Sequence, residues 1–449
     1  MTIKINPRQV AAEALCAIAS EGAYNNRILH TLLRQNGAMS PKDRAFVTEI
    51  VNGTLRQIIY SDYVLDAFSS LPHEKMKPWV LAVLRSGIYQ ILFLQVPDSA
   101  ACNESVKLMG LRGSNHFSGF VNGVLRAVSR GKEEIKLPQE GTAEYLSIRY
   151  SHPLWLVKMW LAAYSYDFVE ALCAADQCAP DVTIRVNTQK TTKEDLKTLL
   201  ETSGVSVQDS LFCPNALHLS GTAGLAHLKA FQDGLFHVQD ESAQLSALLL
   251  GAQKGERILD VCAAPGGKSF LAAEEMEDTG SIVSCDLYPH KIDLIAEGAQ
   301  RLGLESIHAQ LRDGTQVQEN EKSAFDRVLA DVPCSGFGLL RKKPDLRLHR
   351  DGTAIDQLLP IQWRILQASA DCVKKGGVLV YSTCTLCKKE NEGMIRRFLS
   401  QREDFIPEDL TALLPSGISC DTAKDGFVTL YPHIHGTDGF FIARLRRKE

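Results

Sequence analysis

RILDVCAAPGGKS, residues 257–269, is the most informative stretch of this 449-residue chain. It reads as a short apolar strand, a turn built on two glycines and the start of a helix that continues past Phe270. A strand, a glycine turn and a helix in this order are typical of nucleotide-binding units. Further apolar strands follow between helical segments, at SIVSCD (281–286), FDRVLAD (325–331) and GVLVYS (377–382). The pattern predicts an α/β domain with a doubly wound, mostly parallel sheet, in which ligands bind at the carboxyl ends of the strands.

The glycine turn fits two classes of ligand. Gly267, Lys268 and Ser269 match the end of the phosphate-binding pattern GxxxxGK[ST], but Cys262 stands where that pattern has its first glycine. A phosphate loop needs that glycine so that its amides can surround the phosphates. Asp286 ends the next strand at a distance typical of an acidic residue that accepts ribose hydroxyls, and Asp313 is placed to face an adenine amino group. These features favour S-adenosylmethionine or a dinucleotide over ATP.

Two cysteines follow two of the predicted strands. Asp331 and Cys334 lie in DVPCSG after one strand, and Cys384 lies in TCT after another. A single cysteine at a strand end is usually a packed residue, but two at equivalent ends of neighbouring strands would meet beside the cofactor. Methylation of pyrimidine carbon 5 requires such a thiolate, because addition to carbon 6 makes carbon 5 nucleophilic. Cys387 completes a CxxC with Cys384, but this run does not start a helix as redox motifs do, and we interpret Cys387 as a bystander.

The rest of the chain divides into further regions. Residues 1–130 have helical periodicity with breaks that leave about half a dozen helices, which predicts an all-α domain, and the polar residues 131–150 are typical of a linker. Residues 151–240 combine helical stretches with strands such as VTIRVN (182–187), which predicts a small α+β region. The α/β domain then covers residues 241–449.

Composition limits the class of protein. Hydrophobic residues make up 45% and charged residues 23%, which is ordinary globular usage and argues against a disordered or fibrous chain. The twelve cysteines accompany neither a signal peptide nor an apolar stretch long enough for a membrane span, so we expect a cytoplasmic protein with reduced thiols. The cysteines and histidines show no metal-ligand spacing, and we expect no metal. The net charge is −4, although residues 1–130 hold 14 Lys and Arg against 9 Asp and Glu, a weak sign of an anionic partner.

Four stretches resemble the RNA 5-methylcytosine methyltransferases of the NOL1/NOP2/Sun family: ILDVCAAPGGKS (258–269), ADVPCSG (330–336), YSTCT (381–385) and DGFFI (438–442). RVN (185–187) and VQDES (238–242) match the region that precedes the catalytic domain in this family. DRAF (43–46), GTLR (53–56) and VNGVLR (121–126) are similar to the NusB-like RNA-binding fold. The resemblance implies a NusB-like N-terminal domain, S-adenosylmethionine as the cofactor and a cytosine of 16S ribosomal RNA as the substrate.

The resemblance also implies roles for individual residues. Cys384 is similar to the nucleophile of the family, Cys334 to the thiol that helps to release the product, and Asp331 to a residue that contacts the target base or the cofactor. DNA cytosine methyltransferases use the Pro-Cys thiol instead, which keeps Cys334 open as the nucleophile. The residues that would hold the cofactor are Cys262, Ala263, Ala264, Pro265, Gly266, Gly267, Lys268, Asp286, Asp313 and Asp331.

We further expect the basic residues Arg341, Lys342, Lys343 and Arg347 to contact RNA phosphates, since they follow Cys334 closely. We expect a monomer. Two other classes of protein stay open at this point. One is a P-loop ATPase that depends on Lys268, and the other is a non-catalytic RNA-binding factor that uses only the N-terminal domain.

Overall fold

The computed structural model describes residues 5–21, 24–220, 224–349 and 351–449, which fall into two compact units. The first unit comprises Met1–Ala179 and Leu340–Asp351, and the second comprises Pro180–Leu339 and Gly352–Glu449. Among the described residues, no helix has both the length and the apolar composition that crossing a membrane requires.

The described residues of the first unit form helices and no strand. The helices are α1 (Pro7–Glu21), α2 (Asn25–Gln35), α3 (Pro41–Arg56), α4 (Ile58–Phe68), α5 (Pro78–Leu92), α6 (Asp98–Leu108), α7 (Ser118–Gly131), α8 (Ala143–Arg149), α9 (Leu154–Leu161) and α10 (Tyr166–Ala175). Helix α5 is buried along almost its whole length because it is apolar on most of its faces. Gly53 lets α3 approach α5 closely, since a Cβ there would lie 2.0 Å from the Tyr89 ring.

Two features of the first unit differ from the sequence-based expectation. The predicted linker 131–150 contains helix α8. Helices α9 and α10 lie in the first compact unit, whereas our predicted middle region 151–240 includes them, and those bounds stay a prediction. Local periodicity identifies these helices correctly, but it does not show which core their apolar faces join.

The second unit begins with a four-stranded antiparallel sheet in the order β2-β3-β1-β4. Its elements are β1 (Val182–Val186), α11 (Lys193–Thr202), β2 (Ser206–Asp209), β3 (Ala216–Ser220), α12 (Lys229–Gln232) and β4 (Phe236–Val238). Leu196 and Leu200 of α11 and Ala230 of α12 share a core with the strands, so the predicted α+β character is confirmed.

Arg185 on β1 joins this small sheet to the α/β domain. Its guanidinium donates to both carboxylate oxygens of Glu274, at 3.0 and 2.8 Å, and to the Gly267 carbonyl at 3.0 Å. It also donates to the side chain of Gln239. Arg185 and Glu274 are almost completely buried, and burial raises the pKa of Glu274 while the charge of Arg185 offsets part of that effect. Two stretches of the family resemblance, RVN and VQDES, thus contribute side chains that hold the loop after β5.

The α/β domain follows as predicted. Its elements are α13 (Glu241–Leu248), β5 (Arg257–Asp260), α14 (Gly267–Glu275), β6 (Ser281–Asp286), α15 (Pro289–Leu302), β7 (Ile307–Leu311), β8 (Phe325–Asp331), α16 (Leu346–His349, in the segment that belongs to the first unit), α17 (Gly352–Cys372), β9 (Val373–Thr383), α18 (Glu392–Gln401), β10 (Phe405–Pro407), β11 (Phe427–Leu430), α19 (Pro432–His435) and β12 (Phe440–Arg447). The sheet order is β10-β12-β9-β8-β5-β6-β7, and β11 also pairs with β12.

Strands β9, β8, β5, β6 and β7 run parallel, whereas β12 runs antiparallel to β9. The mostly parallel sheet is therefore confirmed. The carboxyl ends of the five parallel strands lie along one edge, where the candidate site residues follow them.

Candidate active site

The loop after β5 turns sharply into helix α14. Gly266 precedes the helix with φ of 110°, a conformation that glycine adopts most easily, and a Cβ there would lie 2.2 Å from the Phe270 ring. The loop therefore packs closely against the first turn of α14. Unpaired N–H groups and the positive end of the helix dipole are expected at such a terminus.

A buried carboxylate fixes the shape of this loop. Asp260 accepts a hydrogen bond from the Ser269 hydroxyl at 2.7 Å, and Ser269 in turn accepts one from Ser284 at 2.9 Å. Burial raises the pKa of Asp260 to about 7. The sequence alone assigned no role to Asp260, so its part in holding the loop is a finding of the structure.

The ends of β6 and β7 carry the two further carboxylates of the predicted cofactor site. Asp286 pairs with Leu311 in the parallel register, is almost buried and lies 3.3 Å from Lys291 Nζ. Asp313 is exposed, and hydrogen bonds from the backbone and hydroxyl of Thr315 lower its pKa.

Two apolar side chains at this edge were missed by sequence analysis. Leu287 and Leu311 are 54% and 56% exposed beside Asp286 and Asp313. Their exposure is unusual for leucine, and it gives the edge apolar surface on which a flat ring can rest. The only signal in the sequence is their position next to the two aspartates.

The two predicted thiols meet. Strands β8 and β9 are neighbours with Asp331 opposite Ser382, and the Sγ atoms of Cys334 and Cys384 lie 3.3 Å apart. The hydrogen bond to Cys384 and burial raise the pKa of Cys334 well above that of an ordinary thiol. Cys334 therefore keeps its proton and can donate it in a hydrogen bond to the sulfur of Cys384.

Lys268, which follows the loop after β5, links that loop to Asp331 and so to the segment that carries Cys334. Its Nζ lies 2.6 Å from Asp331 Oδ2, and Asp331 Oδ1 accepts from the Ser382 hydroxyl at 2.7 Å. Burial alone would lower the pKa of Lys268, but the carboxylate of Asp331, with smaller effects of Asp260 and Cys384, raises it above its usual value. The ammonium group also lies 5.3 Å from the centre of the Phe440 ring. The first turn of α14 thus carries a positive charge that interacts electrostatically with Cys384.

The predicted phosphate contact of Arg347 is wrong. Its side chain is 5% exposed, and its guanidinium donates to the carbonyl oxygens of Ser151 at 2.9 Å, Leu340 at 2.9 Å and Asp176 at 3.4 Å, all within the first unit. Arg341 is also buried, whereas Lys342 is half-buried and Lys343 is exposed. Of the four predicted residues, the two lysines stay candidates for RNA contacts.

The described residues bring together no three His, Cys, Asp or Glu side chains that could hold a metal ion.

Comparisons with known proteins match all three regions of the chain. Residues 247–446 match the family described as 16S rRNA methyltransferase RsmB/F, residues 5–130 match the NusB family, and residues 152–225 match the RsmF/B-like ferredoxin-like domain. The match to the NusB family and the mostly parallel α/β sheet confirm the predicted fold classes.

Relatives that match over almost the whole chain indicate the same family. The chain is 40% identical to "Probable ribosomal RNA small subunit methyltransferase B" of Bacillus subtilis and 38% identical to the protein of that name in Synechocystis, with at least 99% of each chain covered in both comparisons. A solved structure, that of PH0851, superposes with a TM-score of 0.84 at 25% identity and covers 100% of both chains. The chain belongs to the RsmB/F family of 16S rRNA methyltransferases.

Proposed function

We propose that the protein transfers a methyl group from S-adenosylmethionine to carbon 5 of a cytosine in 16S ribosomal RNA, through a covalent bond between Cys384 and carbon 6 of the base. The observation that carries this proposal is the thiol pair, 3.3 Å apart, with Lys268 of the first turn of α14 near enough to Cys384 to interact with it electrostatically. A methyltransferase that modifies an exocyclic amine has no use for a nucleophile, whereas carbon 5 of cytosine cannot react without one.

The residues at the ends of β5, β6 and β7 fit S-adenosylmethionine. The N-terminus of α14 offers N–H groups, Asp286 can accept the ribose hydroxyls, and Asp313 can accept the adenine amino group. Leu287 and Leu311 supply apolar surface for the adenine ring. Bound there, S-adenosylmethionine supplies an electrophilic methyl group at the sheet edge that also carries the thiols.

Cys384 is the better nucleophile of the two thiols. Burial and the contact with Cys384 raise the pKa of Cys334, so its S–H can donate to the sulfur of Cys384, and the ammonium of Lys268 favours negative charge on that sulfur. The Cys384 thiolate would add to carbon 6 of the cytosine, and the electron pair of the 5,6 double bond would form the bond from carbon 5 to the methyl carbon as that carbon leaves the sulfonium sulfur, with S-adenosylhomocysteine as the leaving group. A base then takes the carbon 5 proton, the electron pair of that C–H bond restores the double bond as the bond from sulfur to carbon 6 breaks, and the Cys334 S–H stabilises the departing thiolate.

Asp331 can select the base. A carboxylate has about four acceptor positions, and Lys268 and Ser382 use only part of them. A further position can accept from the exocyclic amine of cytosine, while the oxygen at the same place in uracil would repel the carboxylate. The target base has to leave its stack to reach this buried edge, as in other enzymes that act on a base.

A covalent trap tests the proposal. 16S RNA transcribed with 5-fluorocytidine has no carbon 5 proton to lose, so the intermediate should persist as a protein–RNA adduct in denaturant. We expect the adduct with wild type and with Cys334→Ser, and none with Cys384→Ser. Loss of the adduct only in Cys334→Ser would assign the attack to Cys334, and the absence of any adduct would refute cytosine C5 chemistry on this RNA.

A further inference from the structure

Glu390 is a fully buried carboxylate close to both thiols, and the mechanism above does not use it. Its Oε1 accepts from the Ser335 N–H at 2.9 Å and from Gln362 Nε2 at 2.8 Å, and its Oε2 accepts from the Ser335 hydroxyl at 2.5 Å. Its backbone carbonyl accepts from the Tyr381 hydroxyl at 2.7 Å. Among the described residues, these hydrogen bonds offset the cost of burying the negative charge, because a buried charge without partners is unfavourable in free energy.

The partners of Glu390 lie on either side of Cys334. Ser335 is the next residue, and Gln362 Nε2 also donates to the carbonyl oxygen of Pro333, the preceding residue, at 3.0 Å. Both neighbours of Cys334 are therefore tied to one carboxylate.

The same network reaches the loop of Cys384. The Ser335 hydroxyl donates its one hydrogen bond to Glu390. The Thr385 hydroxyl, 2.7 Å away, therefore donates to Ser335 Oγ. Thr385 directly follows Cys384. Glu390 thus connects the loop after β8 with the loop after β9.

Asn391 acts differently from Glu390. It accepts from the Thr383 hydroxyl at 2.6 Å and donates to the Thr385 carbonyl at 2.9 Å, so it closes the loop of Cys384 on itself and does not reach Cys334. Backbone hydrogen bonds also join the two segments, from the Val332 N–H to the Ser382 carbonyl at 3.1 Å and from the Gly338 N–H to the Cys384 carbonyl at 3.0 Å. Glu390 holds the side-chain link between the loops, at Ser335 and Thr385.

We propose that Glu390 is a positioning residue that holds the loop of Cys334 against the loop of Cys384 and so sets the distance between the two thiols. The proposal rests on the proposed function only for the roles of the thiols in catalysis. The charge of Glu390 adds a second effect, because it faces Cys334 together with Asp331, Tyr381 and Cys384, while Lys268 faces Cys384. Negative charge at Glu390 favours the neutral form of Cys334.

A dithiol probe tests the spacing without RNA or cofactor. Phenylarsine oxide reacts with two neighbouring thiols to form two As–S bonds and one water, and peptide mass spectrometry of the full-length protein identifies the bridged pair. We expect Glu390→Ala to weaken capture of the Cys334–Cys384 pair by about tenfold, since buried donors of Ser335 and Gln362 lose their acceptor and the loops separate. Glu392→Ala is the matched control, because the partly exposed Glu392 carboxylate pairs with Lys388 at 3.6 Å and is not one of the partners of Ser335, Gln362 and Thr385 in the network of Glu390.

Further variants separate positioning from general folding. Glu390→Gln can keep the link if the Ser335 hydroxyl turns to accept from the new amide, so we expect near-normal capture with Cys334 alkylation by iodoacetamide beginning at lower pH. If Glu390→Ala does not fold, Ser335→Ala takes its place in the capture experiment, because Ser335→Ala removes the hydroxyl that joins Glu390 to Thr385. Wild-type capture and an unchanged alkylation profile in the folded variants would overturn the proposal, whatever the result of the 5-fluorocytidine trap.

Discussion

Replacing Arg185 by methionine should destabilise the second unit strongly. Arg185 and Glu274 have side chains only 1% and 2% exposed, and the guanidinium holds both carboxylate oxygens as well as the Gly267 carbonyl. Removing the guanidinium leaves a buried carboxylate without its partner, which costs about 3–5 kcal/mol. With a urea dependence of about 2 kcal/mol per molar, the midpoint of unfolding should fall by roughly 2 M.

Hydrogen exchange of peptides from β5 and α14 in a urea series measures this change, because these elements carry Glu274 and the cofactor loop. Lys229→Met is the control. Lys229 and Asp233 form an exposed ion pair in the same unit, with side chains 86% and 47% exposed, and its loss should cost below about 0.5 kcal/mol.

The double variant Arg185→Met with Glu274→Leu separates the ion pair from its surroundings. If the cost of the single variant is the unpaired charge, the double variant should recover most of the lost stability, since a buried ion pair can often be replaced by apolar residues. A single variant as stable as wild type, or a double variant no better than the single one, would refute the reasoning.

Three further predictions concern other parts of the molecule. Folding raises the pKa of Asp260 to about 7, so the folded state binds more protons than the unfolded state between about pH 4 and 7. The free energy of unfolding therefore falls by about 4 kcal/mol as the pH rises through that range. Asp260→Asn should remove this loss, which urea titrations at about pH 5 and 7 measure. Gly53→Ala should lower the melting temperature, because its Cβ meets the Tyr89 ring at a cost of about 1–3 kcal/mol, whereas Gly123→Ala, with open space around it, should raise the melting temperature slightly. Arg347→Met should destabilise the first unit by at least about 1–3 kcal/mol without changing the salt dependence of RNA binding. Lys343→Gln should leave the stability unchanged and reduce the salt dependence of RNA binding. Equal effects of the two variants on RNA binding would contradict the structure.

The parts of the site that the sequence predicts well are those set by local pattern. Strands 281–286 and 325–331 have the predicted bounds, because each is a short apolar run that ends in an aspartate and a turn. The neighbouring positions of Cys334 and Cys384 follow from parallel strands whose carboxyl ends share one edge.

The parts that the sequence does not predict depend on partners far away along the chain. Arg347 looks like one member of a basic run, and only the fold shows that carbonyls of Ser151 and Asp176 surround it. Glu390 stands in the charged run KKENE, which is typical of a solvated surface, and yet its carboxylate is fully buried against Ser335 and Gln362. Neither environment leaves a periodic signal in the sequence.

The short segment Leu340–Asp351 has a consequence for biosynthesis. It belongs to the first unit although it is encoded after strands β1 to β8 of the second, and Arg347 within it donates to the carbonyls of Ser151 and Asp176. A nascent chain released after residue 179 would hold those carbonyls without their donor, so the first unit reaches its full set of contacts only once the ribosome has added residue 351. No single cut in the gene can therefore express the two units as separate, complete proteins.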